Sequence, residues 1–397
     1  MSGASGDLSH RVRDWAESGV PLLTGHADGP PLIPPGSAAT VARRHTDRIA
    51  AVTGGRVRLD GARLLSERAA FTGFGRGGST SAGGHCRLLP TADGWAAVSC
   101  ARPDDPVLLG ALVCRDVGDD PWPEVSSWLR THTGAELAER AELLGVAAGP
   151  VAPVETTTPE PLQPRPVNGL RVVDFSALWA GPLCAHILGL AGAHVIKVET
   201  PTRPDGARRG NPDFYRLLHA GHESVVLDPG DREQRSALAD LVASADIVIE
   251  ASRPRALAGF GLDAAGFADS GGTWISITAH GRASNRIGFG DDIAACAGLV
   301  AHTDDGTPVF VGDAIADPLT GLTAAVLAMS APADGSGRLW DVAMSSVVAA
   351  TLDPATVTEP IDEALILAPS RRETTGEAPH SGRDTDAVLA RLRRQSV

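Results

Sequence analysis

Four aspartates, one histidine and a lysine–glutamate pair have types and spacing that could do chemistry. Asp313 and Asp317 stand in VGDAIADPLTGLTAAV, where Asp317 directly precedes Pro318 and an apolar run. That spacing predicts an N-cap aspartate followed by an N1 proline. A carboxylate held there sits among backbone N–H groups, which stabilise its anion and any oxyanion formed when it attacks a carbonyl. The same pattern also serves plain capping. Asp291 and Asp292 open a second apolar helix in GFGDDIAACAGLV, with capping and dipole compensation as the alternative to a functional role. His280 follows a strand in ITAHGR, as a surface histidine or a general acid–base. Lys197 and Glu199 alternate with apolar residues near a strand end, reaching either solvent or a ligand. GFGRGG at 73–78 fits Gly-x-Gly-x-x-Gly but has no strand before it and no helix after it, so it reads as a flexible loop rather than a dinucleotide fingerprint.

The elements that position these residues can be read from the pattern of apolar runs. After a linker at 149–166 with six prolines come LRVVDFS, HVIKVET, SVVLDP, ADIVIEAS and TWISITAHG, all suited to buried strands. Helical AGPLCAHILGLAGA and REQRSALADLVAS lie between some of them. The alternation predicts an α/β fold, a Rossmann-like open parallel sheet with helices on both faces. Such sheets bind ligands beyond the carboxyl ends of their strands, where Ser176–Pro182, Glu199–Asp205, Glu250–Arg255 and His280 fall. A smaller α/β domain precedes the linker. Residues 352–384 read as a surface-hugging tail, followed by the helical DTDAVLARLRRQ with Asp384 as N-cap.

Composition narrows the classes. The 397 residues are 43% hydrophobic and 21% charged, which is globular, and aromatics at 4% leave a core of small aliphatics. A net charge of −13 without a basic stretch excludes the usual nucleic-acid signature. Five scattered cysteines without Cys-x-x-Cys argue against a disulfide framework, and twelve histidines show no metal-ligand spacing. No apolar run approaches the ~18 residues that span a bilayer, and no signal pattern opens the chain. A soluble cytoplasmic protein without membrane or nucleic-acid partners is expected.

Residues 169–176 (GLRVVDFS), 180–182 (AGP) and 190–199 (LAGAHVIKVE) resemble the opening signature of the class III CoA-transferases, a family that includes formyl-CoA and carnitine CoA-transferases and α-methylacyl-CoA racemase. Further similar segments follow in family order: 221–228 (GHESVVLD), 245–250 (ADIVIE), 292–298, 317–321 (DPLTG) and 337–344 (GRLWDVAM). The resemblance implies that Asp317 is the nucleophile of CoA transfer between an acyl-CoA and a carboxylic acid, through an aspartyl anhydride and an aspartyl-CoA thioester. It implies no permanently bound cofactor and a homodimer. It also implies that Trp179, Ala180, Gly181, Lys197, Glu199, Arg208, Arg253 and Arg255 flank CoA. The alternative is racemisation of a 2-methylacyl-CoA, with Asp292 as one acid–base. The position near Leu262 that would carry the racemase histidine has none, which leaves His280. A third alternative is a decayed, non-catalytic paralogue, because the cations the family places after its strands are His222-Glu223, Gly259 and Thr200 here. Arg203, Arg208, Arg209, Arg253 and Arg255 would have to replace them.

The N-terminal half is similar to other parts of the same family. Residues 83–105 resemble the start of its small domain, 138–151 its end, and 377–389 its final helix. Residues 19–49 resemble 298–326, with Thr40 opposite Asp317. The expected organisation is a degenerate copy of the nucleophile region at 1–60, a small domain at 61–150, a linker at 151–167, a large domain at 168–350 and a tail at 351–397.

Overall fold

The structure, a computed structural model, describes residues 2–154, 157–252, 254–352 and 363–395. Helices α1 (Ser2–Ser18), α2 (Ala38–Val52) and α3 (Glu67–Thr72) come first. A small antiparallel sheet follows, of β1 (Cys86–Pro90), β2 (Trp95–Ser99) and β3 (Ala148–Pro150), with α4 (Asp105–Val113), α5 (Trp122–Leu129) and α6 (Gly134–Leu144) between its last two strands. The chain then builds β4 (Arg171–Asp174), α7 (Ala180–Leu190), β5 (His194–Glu199), α8 (Pro212–His219), β6 (Glu223–Val226), α9 (Arg232–Ala243), β7 (Ile247–Glu250) and β8 (Thr273–Thr278). It continues through α10 (Gly290–Cys296), α11 (Ala316–Ala328), β9 (Arg338–Ala343), α12 (Met344–Ala349) and α13 (Thr385–Gln395).

The large sheet has six strands, all parallel, in the order β9-β8-β7-β4-β5-β6. Counted from β4 this is 3-2-1-4-5-6, so the winding direction reverses between β4 and β7, the kind of point beyond whose carboxyl ends such sheets bind ligands. Successive side chains on a strand face opposite sides. Val172, Ile247, Ile249, Ile275 and Ile277 accordingly share one core with α2, α7 and α11. Val173, Val248 and Trp274 share the other with α9 and with Val388 and Leu392 of α13. Both faces are covered, which explains why these strands read as unbroken apolar runs.

Residues 86–150 form their own layered unit. Ala96, Val98, Leu109, Leu112, Leu129 and Leu137 close its core. Cys86, Leu88 and Ala97 on the opposite face rest on Ala295 and Cys296 of α10. The segment before this unit joins the helical layer of the large sheet: Trp15, Ala38, Ala42 and Ile49 pack with Leu183, Leu319 and Leu322. The linker is tied down at both ends, by Val151 N–H to the Trp95 carbonyl and by Gln163–Pro164 pairing with Ser330–Ala331.

The 73–78 loop is fixed rather than free. Arg76 donates to the carbonyls of His26, Ala27 and Gly29, and Gly78 N–H bonds Gly25. The part of the tail at 353–362 lies outside the described residues. The rest straps across the molecule from α1, where Leu367 N–H meets the Ala16 carbonyl, to the edge strand β6. There the Asp384 carboxylate accepts from Ser224 N–H at 2.9 Å and from Arg383. The expected capping side chain therefore continues the pairing of the exposed sheet edge.

Candidate active site

Two helix starts meet at Asp317. The loop after β4 passes through Leu178, which adopts φ 68°, and reaches the N-cap Trp179 of α7. The turn before α11 passes through Ala314 at φ 46°. Both are left-handed positions that side-chain-bearing residues rarely adopt, and such strain concentrates at functional sites. Because of this turn α11 begins at Ala316 with Ile315 as N-cap. Asp317 therefore lies inside the first turn instead of capping it, a correction to the N-cap reading. Its carboxylate turns to the neighbouring helix, where Oδ1 accepts the Ala180 N–H at 3.3 Å.

Close approach makes this possible. A Cβ on Gly321 would stand 2.6 Å from the Ala180 carbonyl, so the glycine lets α7 and α11 touch backbone to backbone. A Cβ on Gly290 would stand 2.1 Å from Asp317 Oδ2, so the first residue of α10 must be bare for the carboxylate to fit.

An acidic cluster surrounds it. Asp291 Oδ1 accepts Ala314 N–H at 2.7 Å, and Asp292 Oδ1 accepts Phe289 N–H at 2.9 Å as part of a capping arrangement. Asp313 is fully buried and holds the Arg68 guanidinium by both oxygens, Nε at 2.8 Å and Nη2 closer. Arg68 also lies 5.1 Å over the Trp179 ring. Burial, then the charges of Asp291 and Asp313, push the Asp317 carboxyl up to about 7, against Arg68 and the Ala180 amide. Burial and Asp313 push Asp291 up to about 6, and burial pushes Asp292 well above the usual range.

The structure brings Trp179, Ala180, Asp292 and Asp317 together. Gly181 sits beside them, with a would-be Cβ 2.1 Å from Ser176 Cβ, and allows α7 to start tight against the β4 loop. The other expected residues are elsewhere. Lys197 is sealed inside, its ammonium 2.9 Å from Asp205, 4.0 Å from Asp174 and donating to the Ser176 carbonyl at 2.8 Å. Glu199 grips Arg208 at 2.5 Å and accepts from Asp205 N–H and Ser381 Oγ. Arg208 is thereby engaged, with Tyr215 beneath it and the Pro379 carbonyl at 3.1 Å. Arg255 is exposed on the short helix after β7, and Arg253 lies outside the described residues. His280 follows β8, where burial and Arg286 push it down to about 4. His222 is buried and pushed down to about 3, hence neutral, and Glu223 pairs with His194 and Arg391. Thr40 gives its hydroxyl to Asp14.

The described cavities lie away from Asp317. One of about 330 Å³ lies between His186, Leu217 and Arg372, and one of about 420 Å³ lies on the small unit between Val107 and Val117. Among the described residues no group of three or more His, Cys, Asp or Glu could hold a metal ion. Sequence reading missed Arg68 and Gly290. Arg68 carries no local motif. Gly290, wedged between Phe289 and two acids, carries a weak one.

The succinate–glutarate CoA-transferase of Agrobacterium fabrum is 31% identical over 219 residues, covering 49% of this chain and 55% of that protein. The succinyl-CoA–D-citramalate CoA-transferase of Chloroflexus aurantiacus is 29% identical, covering 48% and 52%. A solved CAIB/BAIF family protein from Brucella suis is 30% identical, with a TM-score of 0.43 over 47% of this chain and 55% of that one. The chain thus spans about half the length of the curated relatives it matches. The model of CoA-transferase family III matches residues 167–382, more than half of the sequence, and the chain belongs to that family.

Proposed function

We propose that the protein moves coenzyme A from an acyl-CoA to a carboxylic acid, with Asp317 as nucleophile. One observation carries the reading: the Asp317 carboxylate is pinned at two converging helix starts, one of them the start of the helix that follows β4, where the sheet reverses its winding. A carboxylate is a feeble nucleophile in water. Largely withdrawn from solvent and facing the Ala180 backbone N–H, it becomes a usable one. Its oxygen adds to the thioester carbonyl, the C–S bond breaks, and CoA thiolate leaves an acyl-aspartyl anhydride. The thiolate then attacks the aspartyl carbonyl, releasing the donor acid and leaving an aspartyl-CoA thioester. The acceptor carboxylate repeats these two steps in reverse order, and Asp317 is regenerated. No water enters, so the thioester bond energy is conserved. Ala180 N–H aims the carboxylate at the start of the first half-reaction.

The reading includes a cytoplasmic homodimer. It is supported by the free thiols and by large apolar side chains left exposed, such as Leu143 and Val107. Among the described residues no helix is long and apolar enough to cross a membrane. The test is mass spectrometry of the Asp317 peptide after mixing with succinyl-CoA and other acyl-CoAs. An aspartyl-CoA adduct is expected in the native protein and none in Asp317→Ala. Undiminished transfer by Asp317→Ala refutes the mechanism. A second reading, a non-catalytic family member, is favoured by the internal engagement of Lys197 and Arg208 and by the neutral His222. It predicts no CoA binding in a calorimetric titration.

A further inference from the structure

Arg68 belongs to α3, a segment outside residues 167–382 that the family model matches. Its guanidinium joins the two turns on which the site depends. The forked contact holds Asp313, the residue before the left-handed Ala314 that launches α11. The flat face covers Trp179, the residue before Ala180, whose N–H meets Asp317. Arginine suits this work because its planar fork takes both oxygens of a carboxylate while its face stacks on an aromatic ring. The helix carrying it is itself anchored. Glu67 is buried and clamps Arg372 of the strap through both carboxylate oxygens at 2.7 Å, and Ser66 Oγ donates to the Ser18 carbonyl at 2.6 Å.

We propose that Arg68 is a positioning residue for the nucleophile: it locks the starts of α7 and α11 together so that Ala180 N–H meets Asp317, and it supplies the positive charge that the reacting carboxylate faces. The inference rests on the reading of Asp317 as nucleophile and extends it to a residue from the N-terminal segment. The charged groups around Asp317 are Asp291 and Asp292 on α10, Asp313 ahead of α11, and Arg68. The charges of Asp291 and Asp313 oppose ionisation of Asp317 and the guanidinium favours it. Removing the guanidinium and removing the Asp313 charge should therefore act in opposite directions. A merely structural role for Arg68 would not do this.

The experiment follows CoA transfer against pH in Arg68→Met, Arg68→Lys and Asp313→Asn, with far-UV circular dichroism to score folding. In parallel, the pH midpoint of carbodiimide labelling at Asp317 is read by peptide mass spectrometry. Arg68→Met is expected to move the acid limb and the labelling midpoint up by about one pH unit, the scale of a lost neighbouring charge. Its loss of activity should approach about tenfold below the limb and should shrink above it. Asp313→Asn should move both readouts down, and Arg68→Lys should keep the limb near the native position with a lowered kcat. Unmoved limbs and midpoints, or shifts of one sign in both neutral variants, overturn the proposal. If Arg68→Met does not fold, the direction of the Asp313→Asn shift and the position of the Arg68→Lys limb decide it. If the native protein transfers no CoA, the functional reading fails, while the labelling midpoints still decide the role of Arg68.

Discussion

Replacing the proposed nucleophile by its neutral isostere should make the protein more stable, and only at the pH where the carboxylate would be charged. Burial, helped by Asp291 and Asp313, pushes Asp317 from its ordinary 3.8 up to about 7. Between those values the folded protein holds a proton that the unfolded chain has released. Stability therefore falls as pH rises through this window, because the unfolded state binds fewer protons, and the loss is complete above the folded value. Three units correspond to about 4 kcal/mol at full strength. Asp317 keeps some solvent contact and titrates among neighbouring acids, which reduces the expectation to about 2 kcal/mol. Asp317→Asn keeps the shape and the Oδ1 acceptor for Ala180 N–H while removing the charge. It should unfold about 2 kcal/mol later than the native protein at pH 8, a rise in Tm of a few degrees for a chain of this size. At pH 4.5 the difference should fall below about 0.5 kcal/mol. Calorimetric melts of both proteins at pH 4.5, 6 and 8 measure it. A gap that does not change with pH, or a native protein that outlasts the variant at pH 8, refutes the claim that Asp317 is a strained carboxylate.

Two further perturbations read other parts of the assembly. In Gly290→Ala the new Cβ would sit 2.1 Å from Asp317 Oδ2 and 2.6 Å from the Ala314 carbonyl. The expected outcome is loss of the covalent CoA adduct and destabilisation by about 1–3 kcal/mol, read by adduct mass spectrometry and denaturant titration. Lys197→Met leaves Asp174 and Asp205 without their cation in a buried site, which should cost about 3–5 kcal/mol at pH 7 in urea unfolding. The cost should lessen on acidification, as protonation removes the unpaired negative charge.

The large sheet was legible because its strands are buried on both faces. Runs such as Val172–Val173 and Ile247–Ile249 have no polar alternation to blur them, and the alternation with helices leaves few topologies. Asp317 stood out in the sequence through its place before Pro318 and an apolar helix. Its position within the helix was not, because the start of α11 is set by the left-handed Ala314 and by Asp291 accepting Ala314 N–H, and neither has a local sequence signature. Lys197 misleads for a related reason. A charged residue alternating with valines on a strand suggests a side chain reaching out to a ligand. It can equally be held inside when carboxylates arrive from elsewhere in the chain, here Asp174 one strand away and Asp205 eight residues later.

The same logic bears on the cations that a thioester carrying phosphates would need. Arg208 and Lys197 are neutralised by Glu199, Asp174 and Asp205, and His222 is held neutral by burial, so these positions hold the carboxyl end of β5 together. A phosphate clamp must therefore use side chains left without an ion pair among the described residues, and Arg203, Arg209 and Arg255 are exposed in the connections after β5 and β7. Those side chains would have to be ordered by the ligand, at an entropic cost of about 1–2 kcal/mol for each long side chain immobilised. Under the proposed function, affinity for CoA would then rest on electrostatics from exposed arginines more than on a preformed cradle. Exposed ion pairs of that kind weaken as salt screens them. The surroundings of Asp317, proposed to be held by Arg68, are buried by contrast, so under the proposed function salt should act on CoA binding and leave the reactivity of Asp317 unchanged.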